Sequence, residues 1–387
     1  MAGMPAIAGE GAASSDAHTR FLSARTFKSL DGLRAAAILG VVWHHAYMPK
    51  IPLRIADRGF LGVDLFFIIS GFLIVTLMLR ERRRTGRISL KAFYVRRALR
   101  IFPAYYAMLL VVGAAALLRR GTHSDVIVRD LPFAACYLSN MVPMQSLLSI
   151  TWSLSVEEQF YLLVPTLEKI WNATLPIVFP VGYVLVSLPP FGLFPALDVP
   201  LFFRQTTFGP ILLGVMLAHV LNHPRGFEWV ARLLGARWAS IAALVLVVLA
   251  MSHPAEDISG WPRLTIHWAL LALVASCVVR EDHVLAPALS CWPFRRIGIV
   301  SYGIYLYHIV VMHVVVAAAA LLGTTSSVFR VTGTALASWV AAEFSYRAFE
   351  SRFLSLKSRF APAERADAPA PRAVLTPARE VSSLPNP

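Results

Sequence analysis

The sequence predicts an all-α fold, a polytopic integral membrane helix bundle of about ten transmembrane helices plus one re-entrant segment. Three observations lead there. Of the 387 residues, 57% are hydrophobic and only 15% charged, against about 25% charged in a soluble domain. The mean hydropathy is +0.62, and apolar runs near the ~20 residues needed to cross a bilayer recur along the chain. Basic residues collect between those runs, which is how membrane proteins set their sidedness. In a soluble protein the net charge of +14 and pI near 10.2 would point to nucleic acid. Here topology accounts for both, and no nucleic-acid partner is expected.

Taken in order, the spans fall at 30–48, 60–80, 101–118, 153–172, 174–192, 207–222, 237–253, 264–280, 297–321 and 328–349. The stretch 131–149 is half apolar and carries Pro132, Asn140 and Pro143, so it reads as a broken or re-entrant segment. With the N-terminus in the cytoplasm, the very basic RERRRTGRISLKAFYVRRALR falls inside, as do NHPRGFEWVARLLGAR and SYRAFESRFLSLKSRF. The acidic HPAEDISGWP falls outside. Counting 131–149 as a full crossing would invert every later loop. RRGTHSDVIVRD, at 119–130, is the weak spot, because it carries arginine to the outside. Both termini are thus expected in the cytoplasm.

Residues 1–28 are small and polar, with no apolar signal-peptide core, and are expected to form a disordered tail. The transmembrane domain is expected over 29–359. The Pro/Ala-rich 360–387 is expected to be a second disordered cytoplasmic tail. Cys136, Cys277 and Cys291 have no metal-ligand spacing, and no metal is expected.

The first span, LDGLRAAAILGVVWHHAYM, places four ionisable residues on an apolar helix. Arg34 and His45 are eleven residues apart, so they lie within about 20° of one face and about 16 Å apart along the axis. Asp31 is within about 40° of that face, whereas His44 points about 100° away. Taken singly, Arg34 and His45 are explained by snorkelling to the two interfaces. As a stripe they read as inward-facing, because ionisable residues in spans usually line a bundle interior or a wet path. Asp64, in GVDLFFIISGFLI, falls at the depth of His45. Two readings of it stand: a carboxylate orienting His45 as a general base, or an interfacial helix cap. Ser70 and Gly71 suit close helix approach.

Arg96, Arg97 and Arg100 sit at the inner mouth of the third span. Arg97 and Arg100 share a helix face. They serve either as a topology signal or as a guanidinium fork for a polyanion such as nucleotide phosphates. In TWSLSVEEQFYLLVP, Ser155 and Glu158 have the spacing of a capping box that would start the fourth span. Glu157 is left over at the outer edge, open to an acceptor hydroxyl or a catalytic partner. Trp152, Phe160 and Tyr161 also fit an interfacial aromatic belt. In SYGIYLYHIV, Tyr302 and Tyr305 recur at helical spacing and fit a bundle core, while His308 within a span is a functional candidate. Glu350 is expected to pair with a neighbouring arginine.

LDGLR with His45 ten residues beyond Arg34, then GVDLFFIISGFLI, RRALRIFP, TWSLSVEEQFYLL and SYGIYLYH, together resemble the membrane-bound acyltransferase-3 family. That family includes O-acetyltransferases of lipopolysaccharide, exopolysaccharide, peptidoglycan and Nod factor. The resemblance runs in order from about Leu30 to about Arg359. It implies transfer of an acyl group, usually acetyl, from acyl-CoA to a sugar hydroxyl, with acetyl-CoA as donor substrate and no bound cofactor. It places the family's Arg-x10-His motif on Arg34 and His45, and its Arg-x-x-Arg motif on Arg97 and Arg100. The serine-glycine of the second span falls on Ser70 and Gly71, and the first glutamate of the Trp-Ser-Leu motif on Glu157. The implied location is the bacterial inner (plasma) membrane, and the implied partners are acyl-CoA, a glycan or lipid-linked saccharide acceptor and the bilayer.

On this reading the donor docks from the cytoplasm on Arg97, Arg100 and Arg34, and its arm reaches along the first helix to His45. His45, with a carboxylate such as Asp64, then takes the proton of an acceptor entering from outside. The adjacent His44 leaves open which imidazole acts. A covalent acyl-enzyme on Ser70 or a tyrosine is conceivable but not indicated. Rival expectations are an acyl conduit feeding a separate transferase, acylation of a small glycosylated molecule, and a transporter. The last would need inverted repeats that the sequence does not show.

Overall fold

The computed structural model describes residues 8–24, 26–46, 54–119, 121–170, 175–187 and 208–360. Among them all regular structure is helical. The helices are α1 (Ala8–Ser23), α2 (Lys28–Ala46), α3 (Arg54–Asp57), α4 (Gly62–Thr85), α5 (Leu90–Arg119), α6 (Thr122–Ala135), α7 (Thr151–Ile170) and α8 (Leu175–Ser187). They continue with α9 (Phe208–Asn222), α10 (Pro224–Leu234), α11 (Ala239–Met251), α12 (Trp261–Val279), α13 (Ala286–Ser290), α14 (Trp292–Ile299), α15 (Ser301–Leu321), α16 (Ser327–Ser345) and α17 (Ser351–Ser355).

Four stretches are long and apolar enough to cross a bilayer: Gly59–Thr85, Leu90–Arg119, Trp261–Val279 and Ser301–Leu321. The pair α10 and α11, bent by 74°, makes a fifth if read as one broken span. The expected ten spans include shorter or more polar helices. In the described residues α8 has 13 residues and α9 has 15, and α7 carries Glu157, Glu158, Glu168 and Lys169. The outward faces are apolar: Leu110, Leu118, Leu162, Leu321 and Val340 are all well exposed. Water would penalise such a surface, and a lipid tail would not.

Helix α4 is largely enclosed by its neighbours. It is apolar all round, as a helix enclosed by others must be, and Phe67, Ile68, Ile69, Phe72, Ile74 and Val75 are buried. Its closest partner is α9. A Cβ at Gly71 would collide with the carbonyl oxygen of Ile211, and one at Gly214 with that of Ile68. The two backbones touch because neither glycine carries a side chain. Gly71 therefore does what the sequence suggested. Helix α2 lies between α4 and the α13–α14 pair, where Gly298 packs on the Asp31 carbonyl.

Several expectations are corrected. Residues 8–23 form a helix rather than a loose tail, because Phe21 is buried and Arg80 donates to its carbonyl at 2.6 Å. The Arg80 guanidinium also lies over the rings of Phe21 and Phe27. The tail at 361–387 lies outside the described residues. Ser155 is no N-cap: α7 starts at Thr151, entered through a 3-10 turn (Leu147–Ile150) capped by the Ser146 hydroxyl. Ser155 instead donates to the Thr151 carbonyl at 3.1 Å and accepts from the Ser139 N–H at 3.2 Å. Glu350 accepts from the Ser345 hydroxyl at 2.8 Å. The acid that pairs with arginines here is Glu343, bound to Arg296 at 2.6 Å and to Arg347 at 2.5 Å.

The stretch 131–149 is helical only to Ala135 and then turns back toward α7. Asp130 pins the turn by accepting from the N–H groups of Gln145 and Ser146 at 3.0 and 2.9 Å. Asn140 and Gln159 exchange a reciprocal pair of amide hydrogen bonds at 3.0 and 2.9 Å.

Candidate functional site

A cavity of about 80 Å³ opens between α2, α4, α5, α7 and α15. Six residues singled out in the sequence line it: Arg34, Ser70, Arg97, Arg100, Glu157 and Tyr302. They come from five helices, so only folding assembles them. Glu158, Tyr161, Ser153, Ser301 and Tyr305 complete its polar wall. His45, Asp64, Trp152 and His308 lie outside the lining.

The arginines are divided by their partners. Helix α5 begins at Leu90, so Arg96, Arg97 and Arg100 belong to the helix itself. Arg96 is committed to structure, 3.2 Å from Glu81 and 2.7 Å from the Phe360 carbonyl. Arg97 stacks over the Tyr161 ring at 4.5 Å. Among the described residues neither Arg97 nor Arg100 has a carboxylate within ion-pair distance, and Arg34 reaches Asp31 only at 4.0 Å. Asp31 stands equally far, at 4.0 Å, from Arg295. A buried cation is ordinarily paired, because desolvation without a partner is costly. Three half-buried guanidiniums thus face one cavity together with Glu157 and Glu158, an arrangement chemically able to hold an anion.

His45 is held by α15. Its Nδ1 is 3.0 Å from the Val41 carbonyl and 3.2 Å from His308 Nε2. His308, fully buried, has its own Nδ1 2.6 Å from the Tyr305 carbonyl. Carbonyl oxygens only accept, so each Nδ1 carries a hydrogen. His308 Nε2 is then an acceptor for a share of the His45 Nδ1–H. That leaves His45 Nε2 with a free lone pair, the form a general base needs. Tyr305 links this pair to the cavity wall, and its hydroxyl accepts from Ser153 at 2.6 Å while donating to Ile150 at 3.0 Å. Tyr302 donates to the Ile101 carbonyl at 3.0 Å.

Asp64 does not meet His45. It is buried against α12, 2.8 Å from Arg263 and 3.2 Å from His267 Nε2. A carboxylate at that depth is drawn to the full charge of a guanidinium before a neutral imidazole. The side chain that meets His45 is therefore His308 rather than Asp64. Arg263 and His267 are four residues apart on an otherwise apolar helix, a sequence signal that could have marked them. Asp64→Asn is expected to destabilise the protein by about 3 kcal/mol, since Arg263 would lose its buried partner. Thermal unfolding of the purified protein measures this, and an unchanged melting temperature would return Asp64 to other duties.

Trp152 meets Phe67 edge-on at 6.1 Å. Phe67 lines the cavity, whereas Trp152 lines a separate open cleft of about 750 Å³ with Phe60, Asn140, Asp257 and Arg263. His44 turns away from His45's partner and bonds the Asp57 carbonyl at 2.9 Å. It also packs edge-on against Phe60.

The chain is similar to a candidate O-acetyltransferase of Staphylococcus aureus strain COL, 30% identical over 325 residues, covering 76% of this chain and 52% of that one. It is 28% identical over 365 residues to the peptidoglycan O-acetyltransferase OatA of Listeria monocytogenes, covering 86% of this chain and 56% of that one. It is 29% identical over 317 residues to the O-acetyltransferase OatA of Staphylococcus aureus strain NCTC 8325, covering 75% and 51%. The chain thus spans about half the length of the curated relatives it matches. No solved structure matches it. The sequence model of the acyltransferase-3 family, described as an acyltransferase domain, matches residues 27–343. With that match running through every helix that lines the cavity, the chain belongs to the acyltransferase-3 family.

Proposed function

We propose that this protein transfers an acyl group, acetyl foremost, from acyl-CoA to a hydroxyl of a cell-surface or exported glycan. The observation that carries this reading is the cavity in which Arg34, Arg97 and Arg100 converge, with only Arg34 in an ion pair, at 4.0 Å from Asp31, among the described residues. A nucleotide end bearing several phosphates supplies the missing charge. Acyl-CoA enters as donor substrate, its phosphates on these arginines, and its thioester is carried toward His45. The relative named as a peptidoglycan O-acetyltransferase makes a wall glycan the first acceptor class to test.

The acceptor oxygen attacks the thioester carbonyl as His45 Nε2 takes the hydroxyl proton. A carbon–oxygen bond forms and the carbon–sulfur bond breaks. The departing thiolate then recovers the proton from the imidazolium, leaving CoA and the ester. His308 holds the His45 ring in the reactive tautomer. Glu157, on the cavity wall, is assigned to the acceptor or the leaving group. The shorter helices cross the membrane with the four long ones to complete ten spans, both termini in the cytoplasm of a bacterium whose inner membrane holds the protein.

The test is transfer of labelled acetyl from acetyl-CoA to a chitooligosaccharide or muropeptide by the purified protein in vesicles. Product that depends on both protein and donor supports the reading. Label that moves across the membrane without entering glycan would favour a conduit, and glycan uptake without label would favour a transporter. Arg97→Gln and Arg100→Gln are each expected to raise the donor KM about 10–100-fold, the equivalent of one charged hydrogen bond. Unchanged KM in both variants would remove the donor from this cavity.

A further inference from the structure

The family match ends at residue 343, yet the fold makes use of the residues beyond it. After α16 the chain makes one π-helical turn (Tyr346–Glu350), then α17, then a 3-10 turn (Leu356–Phe360). This segment folds back onto α5, where the Phe360 carbonyl accepts from Arg96 at 2.7 Å. The return brings Lys357 up to the arginines of α5. Burial and the nearby charges of Arg100, Arg97 and Arg96, in that order, push its pKa down to about 7.

Among the described residues no carboxylate pairs with Lys357 in that placement, and its charged neighbours on α5 are all cations. The acids nearby are engaged elsewhere. Glu81 serves Arg96 and the Ser89 N–H, and Glu350 serves Ser345. A lysine set among cations holds no fold together by charge. A further cation beside Arg97 and Arg100, which have no ion pair among the described residues, is favourable when a polyanion is present, and then the three act together.

We propose that Ser351–Phe360 forms part of the donor-binding site and that Lys357 contacts the phosphates of the bound donor alongside Arg97 and Arg100. The proposal rests on the acyl-CoA reading of the cavity. Arg96 has the supporting part: its bond to the Phe360 carbonyl fixes the segment against α5, the helix that carries Arg97 and Arg100. The phosphate contact is therefore split between a helix inside the family match and a segment outside it.

The experiment measures binding of CoA, and of pantetheine as the phosphate-free probe, to the full chain in phosphatidylcholine nanodiscs lacking anionic lipid. Wild type is compared with Lys357→Gln, Lys357→Arg and Arg100→Gln, each checked for an unchanged melting temperature. Lys357→Gln is expected to weaken CoA about 10-fold and leave pantetheine unaffected, with Lys357→Arg staying within about threefold of wild type. CoA binding untouched by Lys357→Gln but lost in Arg100→Gln would overturn this proposal and leave the donor cavity standing. CoA binding insensitive to Arg100→Gln would overturn the cavity reading, and this proposal with it. An effect of Lys357→Gln seen only when anionic lipid is added would assign the lysine to lipid headgroups instead and overturn the donor contact.

Discussion

His45→Ala is expected to lower acyl transfer about 10²–10⁴-fold, the usual contribution of a positioned general base, while CoA affinity stays within about twofold. The two outcomes separate because His45 is outside the lining of the arginine cavity and at the other end of α2 from Arg34. Its reactive nitrogen is prepared by the chain of contacts from the Tyr305 carbonyl through His308 to Nδ1. His44 is set apart by its surroundings rather than its tautomer: its ring packs edge-on against Phe60, and among the described residues it has no hydrogen bond to His308. His44→Ala should therefore retain most activity. His308→Ala should fall between the two, about 10–100-fold down, since it leaves the base in place but loosens its tautomer and aim. Initial rates of labelled ester formation at saturating donor decide this. Near-normal turnover by His45→Ala would move the base elsewhere, and turnover lost only with His44→Ala would reverse the assignment of the two imidazoles.

Gly214→Leu and Gly71→Leu are expected to prevent recovery of folded protein. Each added side chain would begin inside a carbonyl group of the facing helix, so relief cannot come from a rotamer change. Overpacking among side chains costs about 1–3 kcal/mol. Here α4 and α9, the most closely packed pair of helices, must separate. The loss should approach a typical domain's whole stability of about 5–15 kcal/mol. Expression followed by size-exclusion chromatography in detergent reads the outcome. A monodisperse Gly214→Leu protein with the wild-type melting temperature would show that α4 and α9 do not meet as described. Gly121→Leu has open space around the added group, although φ there is +130°. It should cost only backbone strain and serves as the milder comparison.

Much of the fold could be read from local pattern. Apolar runs marked the cores of α4, α5, α12 and α15, because a backbone in lipid must satisfy its hydrogen bonds within the segment. The pairing of Arg34 with His45 on one helix face followed from helical repeat alone. Arg97 and Arg100 were legible as a pair for the same reason, and both do line the cavity. Ser155 shows where local pattern failed. Its capping-box spacing to Glu158 is genuine, but α7 had already begun four residues upstream, at Thr151, out of a 3-10 turn. Phe21 shows it too, since a small-residue tail looked loose until Arg80 and the α9–α10 region offered it a place to pack.

By itself, then, the sequence determined an all-helical membrane protein of the acyltransferase-3 type, a cationic cluster and one candidate base. Helical repeat and hydropathy are properties of neighbours along the chain, and they need no knowledge of the rest. Partnership was decided only by the tertiary structure. Asp64 belongs to Arg263, 199 residues away, rather than to His45. His45 belongs to His308, across 263 residues. Lys357 meets the α5 arginines from beyond the family match. Each of these contacts joins helices whose sequences carry no register relative to one another. Their meeting depends on how glycine seams such as Gly71–Gly214 let the helices close, which is a matter of packing rather than pattern.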